Sequence, residues 1–171
     1  ISKRQILLVQ VSKEERGNKG AALTTYISLA GRYCVLMPNT IRGGGVSRKI
    51  NKIEDRKRLK SIIDDMKMPD GMAVIIRTAG SDRNKLELKR DFNYLQNLWN
   101  IIRERTLQST APKLINEEGN LIKRTIRDLY TNEVTELLVA GNNAYEATKE
   151  YIKLMVPNHI KRVKIYDDVK L

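Results

Sequence analysis

The segment of this chain most plainly equipped for chemistry is IIRTAG, Ile75 to Gly80, in which an apolar run ends on Arg77 and Thr78 and is followed by two small residues. A guanidinium grips phosphate or carboxylate oxygens through a planar fork of N–H donors, and a threonine hydroxyl adds a further donor. Ala79 and Gly80 bring little bulk, so a ligand can approach the backbone closely. The residues alone leave a plainer alternative open: an arginine at a strand end paired with a carboxylate, and a threonine satisfying a turn.

A second concentration of charge runs from Arg42 to Lys60. There Arg42, Arg48, Lys49, Lys52, Arg56, Lys57, Arg58 and Lys60 stand against only Glu54 and Asp55. Basic side chains that neutralise phosphates release counterions, which suits such a cluster to a nucleic-acid backbone. A solvated helix face accounts for part of it equally well. Lys13, Arg16 and Lys19 flank Gly17 and Gly20 in another basic loop, where Glu14 and Glu15 make the surface mixed.

No catalytic constellation stands out. His159 is the single histidine, follows Pro157-Asn158 and reads as a surface-loop residue. Asp64-Asp65 and Asp167-Asp168 are adjacent carboxylate pairs. Neighbours in sequence point apart on a helix or a strand, whereas two-metal hydrolysis needs carboxylates converging from separate elements. The lone Cys34 rules out an intramolecular disulfide and a Cys-rich zinc site; within Tyr-Cys-Val-Leu-Met it reads as a buried free thiol in a reducing compartment.

The elements that must position these residues come from a chain of 171 residues, 41% hydrophobic, with material for one ordinary domain or two small ones. Its 32 Lys and Arg against 20 Asp and Glu leave a formal charge of +12, which points to a polyanionic partner, nucleic acid being the commonest. An anionic membrane surface fits less well, because the helical faces are core-like. No apolar run approaches the roughly 18 to 20 residues of a membrane-spanning helix.

Gln5 to Val11 (QILLVQV) reads as a strand with no obvious neighbour. Leu23 to Leu29 and Tyr33 to Met37 flank Ala30-Gly31-Arg32 as a β-hairpin, and Gly43-Gly44-Gly45 makes a flexible loop. Leu59, Ile62, Ile63 and Met66 share one face of a helix over Ile53 to Met66, which Pro69-Asp70-Gly71 closes off. Met72 to Ile76 is an apolar strand. A longer helix from about Asn84 to Leu107 carries the seam Leu88, Phe92, Leu95, Trp99 and Ile102. Beyond Ser109 to Pro112 a second unit is expected: strand Lys113 to Asn116, a turn at Glu118-Gly119-Asn120, helix Leu121 to Tyr130, strand Val134 to Ala140, helix Asn143 to Met155 and strand Val163 to Tyr166. The expected fold class is α+β passing into α/β, a hairpin-plus-helix unit followed by a small, incomplete α/β layer.

Three stretches, KEERGNKGAALTTYISLAGRYCVLMPN, GGGVSRKI and GMAVIIRTAG, together resemble the central part of the catalytic half of the bacterial ribonuclease E/G family. The match is dense from Lys13 to Gly80 and thinner to about Asp167. The resemblance implies that residues 1–20 are the last strand and exit loop of an OB-fold RNA-binding domain, 21–111 a 5′ sensor, and 112–171 part of an RNase H-like subdomain that is not itself catalytic.

That resemblance implies a cytoplasmic bacterial endoribonuclease that cleaves single-stranded RNA and prefers a 5′ monophosphate. Arg77 and Thr78 would bind the phosphate, Gly31 and Val35 would contact the terminal nucleotide, and Lys19 and Lys13 would lie near the RNA path. Ile1 is not an initiator methionine, so the chain is expected to begin mid-protein. The family's magnesium-binding aspartates and zinc-linking cysteines match no position here, so it is expected to bind no metal and to be inactive alone. The magnesium-dependent parent would be a homo-oligomer. The alternative is a stand-alone, non-catalytic RNA-binding or scaffold module.

Overall fold

The computed structural model describes residues 2–40, 44–117 and 120–166. The chain divides into two compact units, Ile1–Ile115 and Asn116–Leu171. Arg42, Gly43, Glu118-Gly119 and Asp167-Asp168 lie outside the described residues.

The first unit opens with strand β1 (Gln10–Lys13), paired antiparallel with β2 (Ala22–Thr24) through a register shift between Val11 and Lys13. The strand expected from Gln5 therefore starts five residues later, and it has a neighbour. Ile6, Leu7 and Val9 are exposed and join no ladder, so β-rich composition alone does not make them a strand. The run Leu23 to Leu29 is likewise not one strand. Its first residues pair with β1, and only β3 (Leu29–Ala30) pairs with β4 (Cys34–Met37).

Two side chains hold the break between β2 and β3 by bonding backbone that would otherwise go unsatisfied. The Gln10 amide donates to the Ser28 carbonyl at 2.8 Å and accepts the Ser28 N–H at 2.9 Å. Asn39 does the same across two residues, accepting from Ile27 N–H at 3.0 Å and donating to the Thr25 carbonyl at 2.7 Å.

The main sheet has four strands in the order β3-β4-β6-β5, where β5 is Gly45–Val46 and β6 is Ala73–Ile76. β4 runs antiparallel to β3 and β6; β5 runs parallel to β6 and is joined to it through helix α1 (Ile53–Asp65). In β4 burial alternates, with Cys34 and Leu36 fully buried and Val35 and Met37 half-buried. The opposed residues Ile76 and Val74 are buried with them, so this face of the sheet meets the core.

Helix α2 (Lys85–Leu107) supplies the other wall. Asn84 caps it, its side chain accepting the Glu87 N–H while the Glu87 carboxylate accepts the Asn84 N–H. Its buried seam is Leu88, Phe92, Leu95 and Ile102, joined in the core by Leu59 and Ile62 of α1. One further residue of α2 is buried in that seam, Asp91.

The second unit runs α3 (Leu121–Asp128), β7 (Leu137–Ala140), α4 (Asn142–Met155) and β8 (Val163–Tyr166). β7 and β8 are parallel and joined through α4, as the alternation of elements implies. Ile126, Ile152, Met155 and Val163 form its core. No strand forms over Lys113 to Asn116, and β7 begins at Leu137 instead of Val134. The reason for the late start is visible: Arg162 takes the carbonyls of Asn132 and Val134 into side-chain hydrogen bonds. The fold is α+β, with three small separate sheets among the described residues.

Candidate functional site

The turn between β3 and β4 is closed by the Gly31 N–H donating to the Cys34 carbonyl at 2.8 Å. Beneath it the Asp91 carboxylate, 1% exposed, accepts three successive backbone N–H groups. Arg32 donates to Oδ1 at 3.1 Å, and Tyr33 and Cys34 both donate to Oδ2 at 2.8 Å. A buried carboxylate is tolerated because donors replace its lost water. Burial still pushes the Asp91 carboxyl above the usual range, and the three amides and the Arg32 charge pull it back. Gly31 is required by this packing, since a Cβ there would stand 2.5 Å from Oδ2 and 2.6 Å from Oδ1 of Asp91.

Above the same turn lies Arg77, at the C-terminal end of β6. Its N–H donates to the Tyr33 carbonyl at 2.7 Å, extending the β4–β6 ladder by one bond. Its guanidinium Nη1 donates to the Gly31 carbonyl at 2.6 Å and, at 3.4 Å, to that of Arg32. Thr78 is exposed and opens a single 3-10 turn, Thr78–Gly80. Gly80 is also packed tightly: a Cβ would come within 2.9 Å of Ile76 Cγ2 and 3.1 Å of the Tyr33 carbonyl.

The structure thus brings Gly31 and Arg77 into direct contact, with Thr78 beside them. Val35 pairs with Ala30 on one side and Ile75 on the other, and the two-residue period of the sheet puts Val35, Ile75 and Arg77 on one face. Lys13 and Lys19 are not gathered in. Both are exposed on the β1–β2 hairpin, Lys13 paired with Ala22 and Lys19 bridged to Arg16 through backbone bonds at 3.1 Å.

Two members of the basic cluster brace the backbone. Arg56 donates to the carbonyls of Ser47 and Ile50 at 2.9 and 3.1 Å. Arg58 donates to those of Ser81 and Arg83, clamping the loop that follows Thr78. Arg48, Lys49, Lys52, Lys57 and Lys60 are exposed. Arg32 is buried, at 4% exposed, and lies with its guanidinium 5.0 Å from the centre of the Tyr33 ring; Arg83 lies 5.6 Å from the same ring. Burial raises the Tyr33 hydroxyl above its ordinary range, against the pull of both arginines.

His159 departs from the surface-loop expectation. It is half-buried in the 3-10 segment Pro157–Arg162, with Nδ1 2.9 Å from the Tyr130 hydroxyl. Asp65 is occupied by Lys85 at 2.7 Å, which lowers its carboxyl, first through the hydrogen bond and then through charge. Among the described residues, no group of three or more His, Cys, Asp or Glu is placed to hold a metal ion, and no helix is long and apolar enough to cross a membrane.

Asp91 and Arg32 are the residues of this site that reading the sequence missed. The available signal was an acid inside an apolar seam: Asp91 sits three residues after Leu88 and four before Leu95, on the buried face.

Residues 28–171 match the ribonuclease E/G family. The chain is 46% identical over 162 residues to ribonuclease E of Haemophilus influenzae, covering 95% of this chain and 17% of that protein. It is 40% identical over 163 residues to ribonuclease E of Escherichia coli, covering 95% of this chain and 15% of that one. A putative ribonuclease E of Buchnera aphidicola from Baizongia pistaciae is 42% identical over 163 residues, 95% of this chain and 40% of its own length. The α+β unit built around an arginine-bearing strand end thus falls within a known class, and the chain belongs to the ribonuclease E/G family. It spans about a sixth of the length of the first two relatives.

Proposed function

We propose that this chain is the 5′-end-recognising part of a bacterial cytoplasmic endoribonuclease, and that the β3–β4 turn and the Arg77–Thr78 strand end seat the 5′ monophosphate of single-stranded RNA. The observation that carries the reading is the bond from Arg77 Nη1 to the Gly31 carbonyl, which orients the guanidinium before any ligand arrives. A pre-oriented fork loses less freedom on binding a phosphate. A terminal monophosphate offers more charge and more acceptor oxygens than a 5′ hydroxyl, so the same fork discriminates between the two ends. Thr78, exposed beside it, adds a hydroxyl donor. Val35 offers an apolar contact for the terminal nucleotide on the same sheet face.

The excess of positive charge supports a nucleic-acid substrate. Phosphodiester hydrolysis with magnesium and converging aspartates belongs, in this reading, to other parts of the whole protein.

The test is Arg77→Gln in the full-length protein. The ratio of cleavage of 5′-monophosphorylated to 5′-hydroxyl RNA should fall at least about tenfold, the order expected for a lost charge-assisted hydrogen bond. An unchanged ratio overturns the proposal.

A further inference from the structure

Three consecutive peptide units of the β3–β4 turn are held from opposite sides by two charged residues. The N–H groups of Arg32, Tyr33 and Cys34 point at Asp91. In a planar trans peptide the preceding carbonyl points the opposite way from its N–H. The carbonyls concerned are those of Gly31, Arg32 and Tyr33, and all three accept from Arg77: the first two from Nη1, the third from its backbone N–H. Each peptide is therefore clamped with its N–H on the buried carboxylate and its oxygen on the proposed phosphate-binding arginine.

We infer that Asp91 is a positioning residue for 5′-end selectivity: by fixing these three peptides it sets the Gly31 and Arg32 carbonyls that aim the Arg77 guanidinium and the Tyr33 carbonyl that holds the Arg77 backbone. The inference rests on the proposed reading of Arg77 and adds to it a residue that touches no RNA. It also gives Gly31 a second role. A side chain at position 31 would overlap both carboxylate oxygens, so glycine is needed for Asp91 to reach the turn, whatever contact its backbone makes with a nucleotide. α2 supplies the carboxylate from within its apolar seam, between Leu88 and Leu95, so Asp91 is anchored among fully buried residues of the core.

Asp91→Asn keeps the volume but sets an NH2 group against amide donors that now share one carboxylate. In the full-length protein the 5′-monophosphate preference should fall about tenfold, in line with what a small misplacement of an orienting group costs. A merely structural Asp91 would lower the unfolding temperature and leave that ratio unchanged, which would overturn the inference. Gly31→Ala should cost less preference in an Asp91→Ala background than in the wild type, and equal losses in both backgrounds would count against it.

The wild-type protein provides a test independent of any variant's folding. Binding of a 5′-monophosphorylated dinucleotide should slow hydrogen exchange at the Arg32, Tyr33 and Cys34 amides more than a 5′-hydroxyl dinucleotide does, because coupling is reciprocal. Equal protection by the two overturns the inference. If Arg77→Gln leaves selectivity intact, the site assignment itself has failed; if Arg77→Gln abolishes it and Asp91→Asn does not, only the role of Asp91 falls.

Discussion

The two hairpins of the first unit make an instructive pair. Both are short and antiparallel, and both carry glycine and basic residues in their turns. The β1–β2 hairpin has more charge, with Lys13, Arg16 and Lys19, and its loop is exposed throughout. The β3–β4 turn has only Arg32, yet Gly31, Arg32, Tyr33 and Cys34 are all buried, and Asp91 and Arg77 hold its backbone from two sides. Basic residues in solvent create attraction for a polyanion at any point along it. A site that distinguishes one chemical end from another needs donors fixed in direction, and that takes buried partners.

The largest difference between the hairpins should appear when a methyl group is added to each loop. Gly31→Ala drives a Cβ into the Asp91 carboxylate and should destabilise the protein by about 3 kcal/mol, the upper range for overpacking. At Gly20 a Cβ meets nothing within 4 Å and the backbone is not left-handed, so Gly20→Ala should stay within about 0.5 kcal/mol of wild type. Urea unfolding of both variants checks this. Similar costs would mean that the β3–β4 turn is no more constrained than the exposed loop.

Cysteine reactivity gives the next contrast. The Cys34 side chain is wholly buried, and burial followed by the Asp91 charge pushes its thiol far above the ordinary range. The thiolate is the reactive form, so a thiol reagent should modify native Cys34 only when the turn opens, about a hundredfold more slowly than in urea. A cysteine placed by Ser12→Cys on exposed β1 should react in the native state at close to its unfolded rate. Rapid modification of Cys34 in the folded protein would show that the turn opens readily.

Elements with a strong internal period were legible in the sequence. The seam of α2 steps from Leu88 to Ile102 at helical spacing, and the apolar run into Arg77 is β6. Elements defined by distant partners were not. The division of Leu23 to Leu29 is made by Gln10 and Asn39, and Lys113 to Asn116 forms no strand because a strand requires a neighbour. The site divides along the same line. Arg77 and Thr78 stand out locally as a guanidinium and a hydroxyl after an apolar strand. The partner that orients Arg77 is 46 residues away, and Asp91 lies 57 to 59 residues from the amides it holds. Periodicity reports which face a residue occupies, and cannot report which backbone groups from another element that face will meet.

The smallest effects belong to the exposed hairpin. Lys19→Ala and Lys13→Ala remove charges whose side chains are solvated, so stability should change by less than about 0.5 kcal/mol. If either contacts the RNA path, binding should weaken equally for 5′-monophosphorylated and 5′-hydroxyl RNA. The slope of log affinity against log salt should then drop by about 0.7 for each lost contact. Arg77→Gln should behave differently, changing the ratio between the two RNAs. Fluorescence anisotropy across a salt series, with both ligands on all three variants, separates the two behaviours. A Lys19 variant that altered the ratio would show that the exposed loop distinguishes the two RNA ends, and that such selectivity does not require the turn clamped by Asp91.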